Sequence, residues 1–169
     1  MNPIVSIIMG STSDLPVMEK AMKFLDDMQV PFEVNALSAH RTPDAVEEFA
    51  KSAKDRGIRV IIAGAGMAAA LPGVIAASTS LPVIGVPIKG SVLDGVDALY
   101  SILQMPPGIP VATVAINGSM NAAILACQMI SLADADLAQK MEAYKAGLGK
   151  KIEKANKELA EVKYKFKTN

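Results

Sequence analysis

Three short segments of the chain carry residue types whose spacing could do chemistry. The first, Gly10 to Asp14 (GSTSD), offers free backbone N–H groups, hydroxyls at Ser11 and Ser13, and the Asp14 carboxylate. Free N–H groups at the start of a helix favour an anion such as a phosphate. A carboxylate facing that phosphate would repel it, so we expect Asp14 to accept hydrogen bonds from sugar hydroxyls. The segment suggests a sugar phosphate, although capping of the next helix by Ser13 or Asp14 would explain the same residues.

The second segment, Ser38 to Pro43 (SAHRTP), contains the only histidine of the chain, His40, followed by Arg41. An imidazole can give and take a proton near neutral pH, which suits a general acid–base role. A guanidinium can hold a phosphate or a carboxylate through two hydrogen bonds. The alternatives are a structural histidine and an arginine that pairs with Asp44 or Glu47.

The third segment, Ala63 to Gly73 (AGAGMAAALPG), has almost no functional side chains. Gly64, Gly66 and Ala69 match the G-x-G-x-x-A pattern of dinucleotide-binding turns. No acidic residue follows near position 84 to bind a ribose, so we reject a dinucleotide site. Exposed backbone N–H groups suit a flat ligand lying against the main chain, and the alternative is close packing of a helix on a strand.

Other side chains that could carry chemistry are expected to be structural. Lys89 and Asp94 follow the fourth apolar run and are predicted to be solvated or structural, since such charges are usually exposed. Cys127, Met120 and Met129 lie in an apolar helical segment and are predicted to belong to the core.

The overall composition excludes several classes of protein. The 17 Lys and Arg equal the 17 Asp and Glu, without a basic run longer than a dipeptide, so neither nucleic acid nor a membrane is expected as a partner. One cysteine and one histidine cannot build a zinc site. Met1 leads into the chain without a basic stretch, so we expect a cytoplasmic protein. With 51% hydrophobic residues the chain is more apolar than a monomer needs, which predicts a homo-oligomer.

Short apolar runs alternate with helical patterns along the chain and must position these segments. Five runs are predicted to be strands: Pro3–Met9, Phe32–Leu37, Arg59–Ala63, Pro82–Val86 and Val111–Ile116. Runs that are apolar on both faces are typical of a parallel sheet covered by helices. We predict a flavodoxin-like three-layer α/β/α sandwich with a five-stranded parallel sheet in the order 2-1-3-4-5. Ligands of such folds bind beyond the carboxyl ends of the strands, where all three segments lie.

The end of the chain has a different pattern. From Leu137 to Phe166 apolar residues recur every three or four positions, which predicts a long amphipathic helix with candidate breaks at Gly147 and Gly149. We expect one α/β domain over residues 1–169, with 134–169 as a C-terminal helical extension. A complete sheet leaves this extension little core of its own to cover, so we expect it to pack on a neighbouring subunit, the alternative being a helix folded back on its own domain.

The motifs in their order resemble a known family. The segments MGSTSDLPVM, SAHRTPD, AGAGMAAALPGVIAA, LPVIGVP, LYSILQMPPGIPVATVAING and NAAILA are similar to those of the bacterial class I PurE family, the 5-(carboxyamino)imidazole ribonucleotide mutases of purine biosynthesis. The resemblance covers about Pro3 to Ala135. It implies a flavodoxin-like fold, a homo-octamer with sites at subunit contacts, and no metal or organic cofactor. It also implies that a carboxylate leaves the exocyclic nitrogen of a ribonucleotide as carbon dioxide and is re-attached at ring carbon four.

The resemblance also implies roles for individual residues. His40 matches the family's catalytic histidine and Arg41 its phosphate-binding arginine, while small side chains in the third segment would leave room for carbon dioxide. The predicted site has His40 as its catalytic group and, for substrate binding, Ser11, Ser13, Asp14, Ser38, Arg41, Gly64, Gly66, Ala68, Ala70 and Leu71.

Two positions depart from the family pattern. The third segment of the family reads AAHLPG, and here Ala70 takes the position of that second histidine. Either this lineage works without it, or the residue has been substituted in a way that weakens catalysis. Met67 stands where glycine is usual, which narrows the loop but removes no chemistry.

Three rival functions share the fold or the site. The closest is an aminoimidazole ribonucleotide carboxylase, which uses free carbon dioxide. A flavin-binding electron carrier is disfavoured because the chain has no Trp and few aromatic residues to stack on a flavin. A phosphoacceptor receiver module needs an aspartate at the end of the third strand, where Ala63 and Gly64 stand.

Overall fold

The computed structural model describes residues 2–169, and its first compact unit, which ends at Ile130, is built around one sheet. All neighbouring strands pair in parallel, in the order β2-β1-β3-β4-β5. The predicted flavodoxin-like fold and strand order are therefore confirmed. The strands are β1 (Val5–Met9), β2 (Phe32–Ala36), β3 (Val60–Gly66), β4 (Val83–Ile88) and β5 (Ala112–Thr113).

Each strand is followed by a helical element. A short 3₁₀ turn, Thr12–Asp14, leads into the first helix. The helices are α1 (Leu15–Asp27), α2 (Pro43–Ser52), α3 (Leu71–Ser78), α4 (Val96–Leu103), α5 (Ser119–Ser131) and α6 (Ala135–Ala160). This alternation returns the chain to the same end of the sheet after each helix, so successive strands run in the same direction.

The core lies on the central strands. β1 and β4 are buried along their whole length, and β3 is buried up to its last residue. Ile7, Ile61 and Ile84 are fully buried there, as expected for β-branched residues in a sheet covered on both faces. The side chains of these strands therefore serve packing, and chemistry is left to the loops.

β3 and β4 extend further at their carboxyl ends than the sequence predicts, whereas β1, β2 and β5 are shorter than predicted. β3 continues from Ala63 to Gly66, and β4 continues through Pro87 to Ile88. Glycine and proline there suggest a loop, but the parallel register is kept, with Ala65 opposite Pro87. β5 is limited to Ala112–Thr113, and the chain turns a few residues later at Asn117, whose φ of 58° lies in the left-handed region.

Helix α5 corrects one expectation about the core. Its buried face includes Ala122, Ala126 and Cys127, whereas Met120, in the first turn of the helix, is 41% exposed. Met129 is only half-buried. Burial raises the pKa of the Cys127 thiol to about 11, so this thiol stays protonated and unreactive.

The second unit, Ser131 to Asn169, contains the predicted long helix. The Asp134 carboxylate caps α6 by accepting a hydrogen bond from the Leu137 N–H at 3.0 Å. The helix runs without interruption through Gly147 and Gly149, so the predicted breaks are wrong. An isolated glycine costs a helix about 1 kcal/mol and does not by itself end it. Across residues 2–169, no helix combines the length and the apolar character that crossing a membrane requires.

Helix α4 packs tightly on the sheet at Gly85, which generates a stability prediction. A Cβ at Gly85 would lie 2.4 Å from Ile102 Cγ2 and 2.9 Å from Val111 Cγ1. Gly85→Ala should therefore lower the free energy of unfolding by about 1–3 kcal/mol through overpacking. Chemical denaturation followed by circular dichroism measures this loss.

The matched control is Gly147→Ala on α6, where a Cβ would meet no atom within 4 Å. This change should raise stability by about 0.5–1 kcal/mol, because alanine favours a helix. Equal unfolding midpoints for Gly85→Ala and the unchanged protein would contradict the packing argument.

Candidate functional site

One cavity of about 590 Å³ lies at the carboxyl edge of the sheet, surrounded by the loops after β1, β2, β3 and β4. Every residue of the predicted site except Gly64 lines it. The lining residues are Gly10, Ser11, Ser13, Asp14, Ser38, Ala39, His40, Arg41, Ala65, Gly66, Met67, Ala68, Ala69, Ala70, Leu71, Ile88, Lys89 and Gly90.

The loop after β1 holds its polar groups through short local hydrogen bonds. The Ser11 hydroxyl accepts from the Ser13 N–H at 3.3 Å, and the Ser13 hydroxyl donates to Asp14 Oδ1 at 3.4 Å. Asp14 stands at the N-cap position of α1 but makes no side-chain capping bond, so capping does not explain it. Partial burial raises the pKa of Asp14 above its usual value. Hydrogen bonds with the Ser13 side chain and the Ser11 backbone lower this pKa and offset part of the rise. A ligand hydroxyl that donates to Asp14 would satisfy the partly desolvated carboxylate.

Arg41 connects the loops after β2 and β1. Its Nη2 donates to the Gly10 carbonyl at 3.1 Å, and its Nε donates to the Ser38 hydroxyl at 3.4 Å. It makes no ion pair within residues 2–169, and Glu47 pairs with Lys51 instead. The guanidinium is therefore held at the cavity with its positive charge uncompensated, which is the arrangement an anion site needs.

His40 lies on the exposed surface of the same cavity. Its ring makes no hydrogen bond within the described residues, so the structural alternative is disfavoured. The backbone around it is braced, because Thr42 Oγ1 accepts from the Ser38 N–H and donates to the Ser38 carbonyl, both at 3.0 Å. An exposed imidazole on a loop held by these hydrogen bonds can exchange protons with a bound ligand.

Apart from Met67, the loop after β3 forms a wall of small side chains. The Ala69 N–H donates to the Met67 carbonyl at 2.9 Å, and the Ala70 N–H donates to the Ala68 carbonyl at 2.7 Å, which folds the loop into tight turns. A Cβ on Gly66 would lie 3.3 Å from the Ile88 carbonyl oxygen, so a side chain is poorly accommodated there. The wall allows a flat ligand to approach the main chain.

Gly64 is the exception among the predicted site residues. It lies inside β3, where a Cβ would meet Met18 Sδ of α1 at 2.7 Å. At this position the structure favours the packing alternative over ligand contact.

The loop after β4 contributes a residue that sequence reasoning left out of the site, Lys89. Its N–H donates to Asn117 Oδ1 at 2.9 Å, and its Nζ pairs with Asp94 at 3.0 Å. A polar residue at the carboxyl end of a buried parallel strand is the signal that could have identified it.

The AIR carboxylase family model matches residues 4–151 of the chain, most of its length. The chain belongs to the AIR carboxylase family. A relative from Pyrococcus horikoshii is 53% identical to this chain, and the match includes 95% of this chain and 90% of the relative. A relative from Thermotoga maritima is 51% identical, and the match includes 96% of this chain and 95% of the relative. Both are named N5-carboxyaminoimidazole ribonucleotide mutase. The family expected from the motifs is confirmed.

Other family members show how far the likeness extends. A phosphoribosylaminoimidazole carboxylase from Saccharomyces cerevisiae is 60% identical over 85% of this chain, but the chain spans only 25% of that protein's length. The crystal structure of Treponema denticola PurE superposes with a TM-score of 0.84 at 32% identity, covering 93% of this chain and 98% of the other.

Met67 in the loop after β3 generates a second stability prediction. Its φ of 57° lies in the left-handed region, and its side chain is 71% exposed. Met67→Gly should raise the free energy of unfolding by about 1 kcal/mol, because glycine adopts this conformation without strain and little packing is lost. The midpoint of denaturant unfolding measures the gain.

Met67→Ala provides the control, because it also removes the exposed side chain but keeps a Cβ in the left-handed region. This variant should gain no stability. If both variants unfold at the same denaturant concentration, the Met67 backbone is not strained.

Proposed function

We propose that the protein is an isomerase, a 5-(carboxyamino)imidazole ribonucleotide mutase of de novo purine biosynthesis. The observation that carries the proposal is the cavity that brings Arg41, Asp14 and His40 together with a wall of small side chains. The mutases named above, matched over most of both chains, support the same activity.

The substrate's phosphate and ribose are held by the loops after β1 and β2. Arg41 binds the phosphate with help from the Ser11, Ser13 and Ser38 hydroxyls, since a guanidinium and hydroxyl donors match phosphate oxygens. Asp14 accepts hydrogen bonds from the ribose hydroxyls. These contacts are alike before and after the carboxylate moves, so they contribute to binding rather than to the rate of the chemical step.

The reaction moves one carboxylate and one proton. The bond between the exocyclic nitrogen and the carboxylate carbon breaks, its electron pair stays on nitrogen, and carbon dioxide is released into the cavity. The nitrogen gains a proton, and ring carbon four attacks the carbon dioxide and loses its own proton. His40 gives the first proton and takes the second, so it ends in its starting state.

The loop after β3 keeps the carbon dioxide beside the ring. Gly66, which has no side chain, and the methyl groups of Ala68 and Ala70 leave an apolar space against the main chain beside the buried Leu71. Confining carbon dioxide there makes its recapture effectively intramolecular. Because Ala70 cannot carry a proton and His40 is the only histidine, proton transfer rests on His40.

We propose a cytoplasmic homo-octamer with sites at subunit contacts. Exposed apolar residues support it, because a contiguous apolar surface is typical of an interface. They form a stripe on α4 and the loop before it: Val92, Leu93, Val96, Tyr100 and Leu103. Leu148, Ile152 and Leu159 of α6 are also exposed, which supports packing of the 134–169 extension on a neighbouring subunit.

The activity is tested by supplying the two candidate substrates separately. The mutase should convert 5-(carboxyamino)imidazole ribonucleotide without added bicarbonate, and should turn over 5-aminoimidazole ribonucleotide plus carbon dioxide far more slowly. The carboxylase alternative, favoured by fungal relatives such as the Saccharomyces cerevisiae protein, predicts the reverse preference. That reverse preference would overturn the mutase proposal.

Two variants in the cavity should separate the chemical step from binding. His40→Asn should lower kcat by about 10² to 10⁴ with KM nearly unchanged, because asparagine can still form hydrogen bonds but cannot exchange a proton.

Arg41→Ala should raise KM far more than it lowers kcat, because the phosphate is bound alike in ground and transition states. Unchanged turnover by His40→Asn would refute the proton-transfer role.

The oligomer is tested by light scattering at micromolar concentration. The protein should have the mass of eight chains, and Tyr100→Glu should reduce it, because the charge would lie in the α4 stripe. A 17.7 kDa monomer for the unchanged protein would contradict the proposal.

A further inference from the structure

Two cations stand at opposite sides of the cavity. Arg41 follows β2 and Lys89 follows β4, with β1 and β3 between them in the sheet. Three strand spacings separate β2 from β4, which amounts to about 14 Å. Among the described residues that line the cavity, Asp14 alone carries a negatively charged side chain. A cation therefore stands at each side of the cavity, Arg41 without an acidic partner within residues 2–169 and Lys89 paired with Asp94, and a ligand with two separated anionic groups could bind both if it replaced Asp94.

Lys89 has a fixed backbone and a replaceable side-chain partner. The Lys89 N–H donates a hydrogen bond to Asn117 Oδ1 at 2.9 Å. The Lys89 backbone also packs closely on Gly95, since a Cβ at Gly95 would lie 3.1 Å from the Lys89 Cα. Its Nζ pairs with Asp94 at 3.0 Å, but the two side chains are 57% and 75% exposed. Such an exposed pair is weak, and the four-carbon stem of a lysine reorients readily, so another carboxylate can replace Asp94 at little cost.

From this geometry we infer that Lys89 binds the carboxylate of the nucleotide, exchanging Asp94 for it, and thereby selects carboxylated over uncarboxylated nucleotides. The inference rests on the proposed function, whose substrate and product each carry a phosphate and a carboxylate. If the phosphate binds Arg41 and the nucleotide crosses the cavity, its ring comes to lie towards the loops after β3 and β4. These two loops are adjacent, since a Cβ at Gly90 in the loop after β4 would lie 3.9 Å from Met67 Cγ in the loop after β3. Lys89 directly precedes Gly90.

The test compares the binding of two nucleotides to the full-length protein by isothermal titration calorimetry. The probes are 4-carboxy-5-aminoimidazole ribonucleotide and 5-aminoimidazole ribonucleotide, which differ only in the carboxylate. Lys89→Met should weaken binding of the carboxylated nucleotide about 10-fold, as expected for the loss of a charged hydrogen bond. Binding of the uncarboxylated nucleotide should change less than about twofold.

Lys51→Met is the matched control, because Lys51 is a comparably exposed lysine paired with Glu47 on α2, outside the cavity lining. It removes the same charge and should leave both affinities unchanged. Asp94→Asn should act in the opposite direction to Lys89→Met and tighten binding of the carboxylated nucleotide alone. Asparagine tolerates the left-handed φ of 52° at this position, so the loop is kept.

The outcomes distinguish the inference from the function on which it rests. Equal weakening of both nucleotides by Lys89→Met, or no weakening of either, overturns the role of Lys89 while leaving the mutase proposal standing. If the unchanged protein binds neither nucleotide, the proposed function is overturned and the inference fails with it. Selective weakening by Lys89→Met, with Lys51→Met unchanged, establishes the selectivity.

Discussion

Parallel pairing of the central strands is the constraint on which the site depends. Because β1, β2, β3 and β4 run in the same direction, their carboxyl ends meet at one edge, and four loops far apart in sequence surround one cavity. A parallel sheet is covered on both faces, so the central strands β1, β3 and β4 are buried and largely apolar, and their side chains serve packing rather than chemistry. Fold and chemistry are thus divided between strands and loops.

Close packing positions the loops, and small residues make it feasible. Gly64 allows α1 to approach β3, and Gly85 allows α4 to approach β4. A few local hydrogen bonds then hold the loops in place, such as those between Thr42 and Ser38 and the one from Arg41 to the Gly10 carbonyl. The functional side chains are exposed, as at His40 and Arg41, or half-buried, as at Asp14, which allows them to exchange these partners for a ligand.

Much of the fold was predictable because each run of β-branched residues is followed by a polar or glycine-rich loop. The strand order and the loops around Ser11, His40 and Gly66 follow from that pattern. Strand ends were harder to predict, since Gly64 and Pro87 are breakers by local preference but are kept in the sheet by tertiary pairing. Lys89 was missed as a site residue because its relation to the cavity depends on which strands are neighbours, whereas a lysine in isolation is usually solvated.

The most direct test of the account is a crystal structure with 4-carboxy-5-aminoimidazole ribonucleotide bound. The account predicts that the phosphate lies within hydrogen-bonding distance of the Arg41 guanidinium and that the ring lies between His40 and the loop after β3. A nucleotide bound in the reverse orientation, with its phosphate at the loop after β4, or bound outside the cavity, would contradict it.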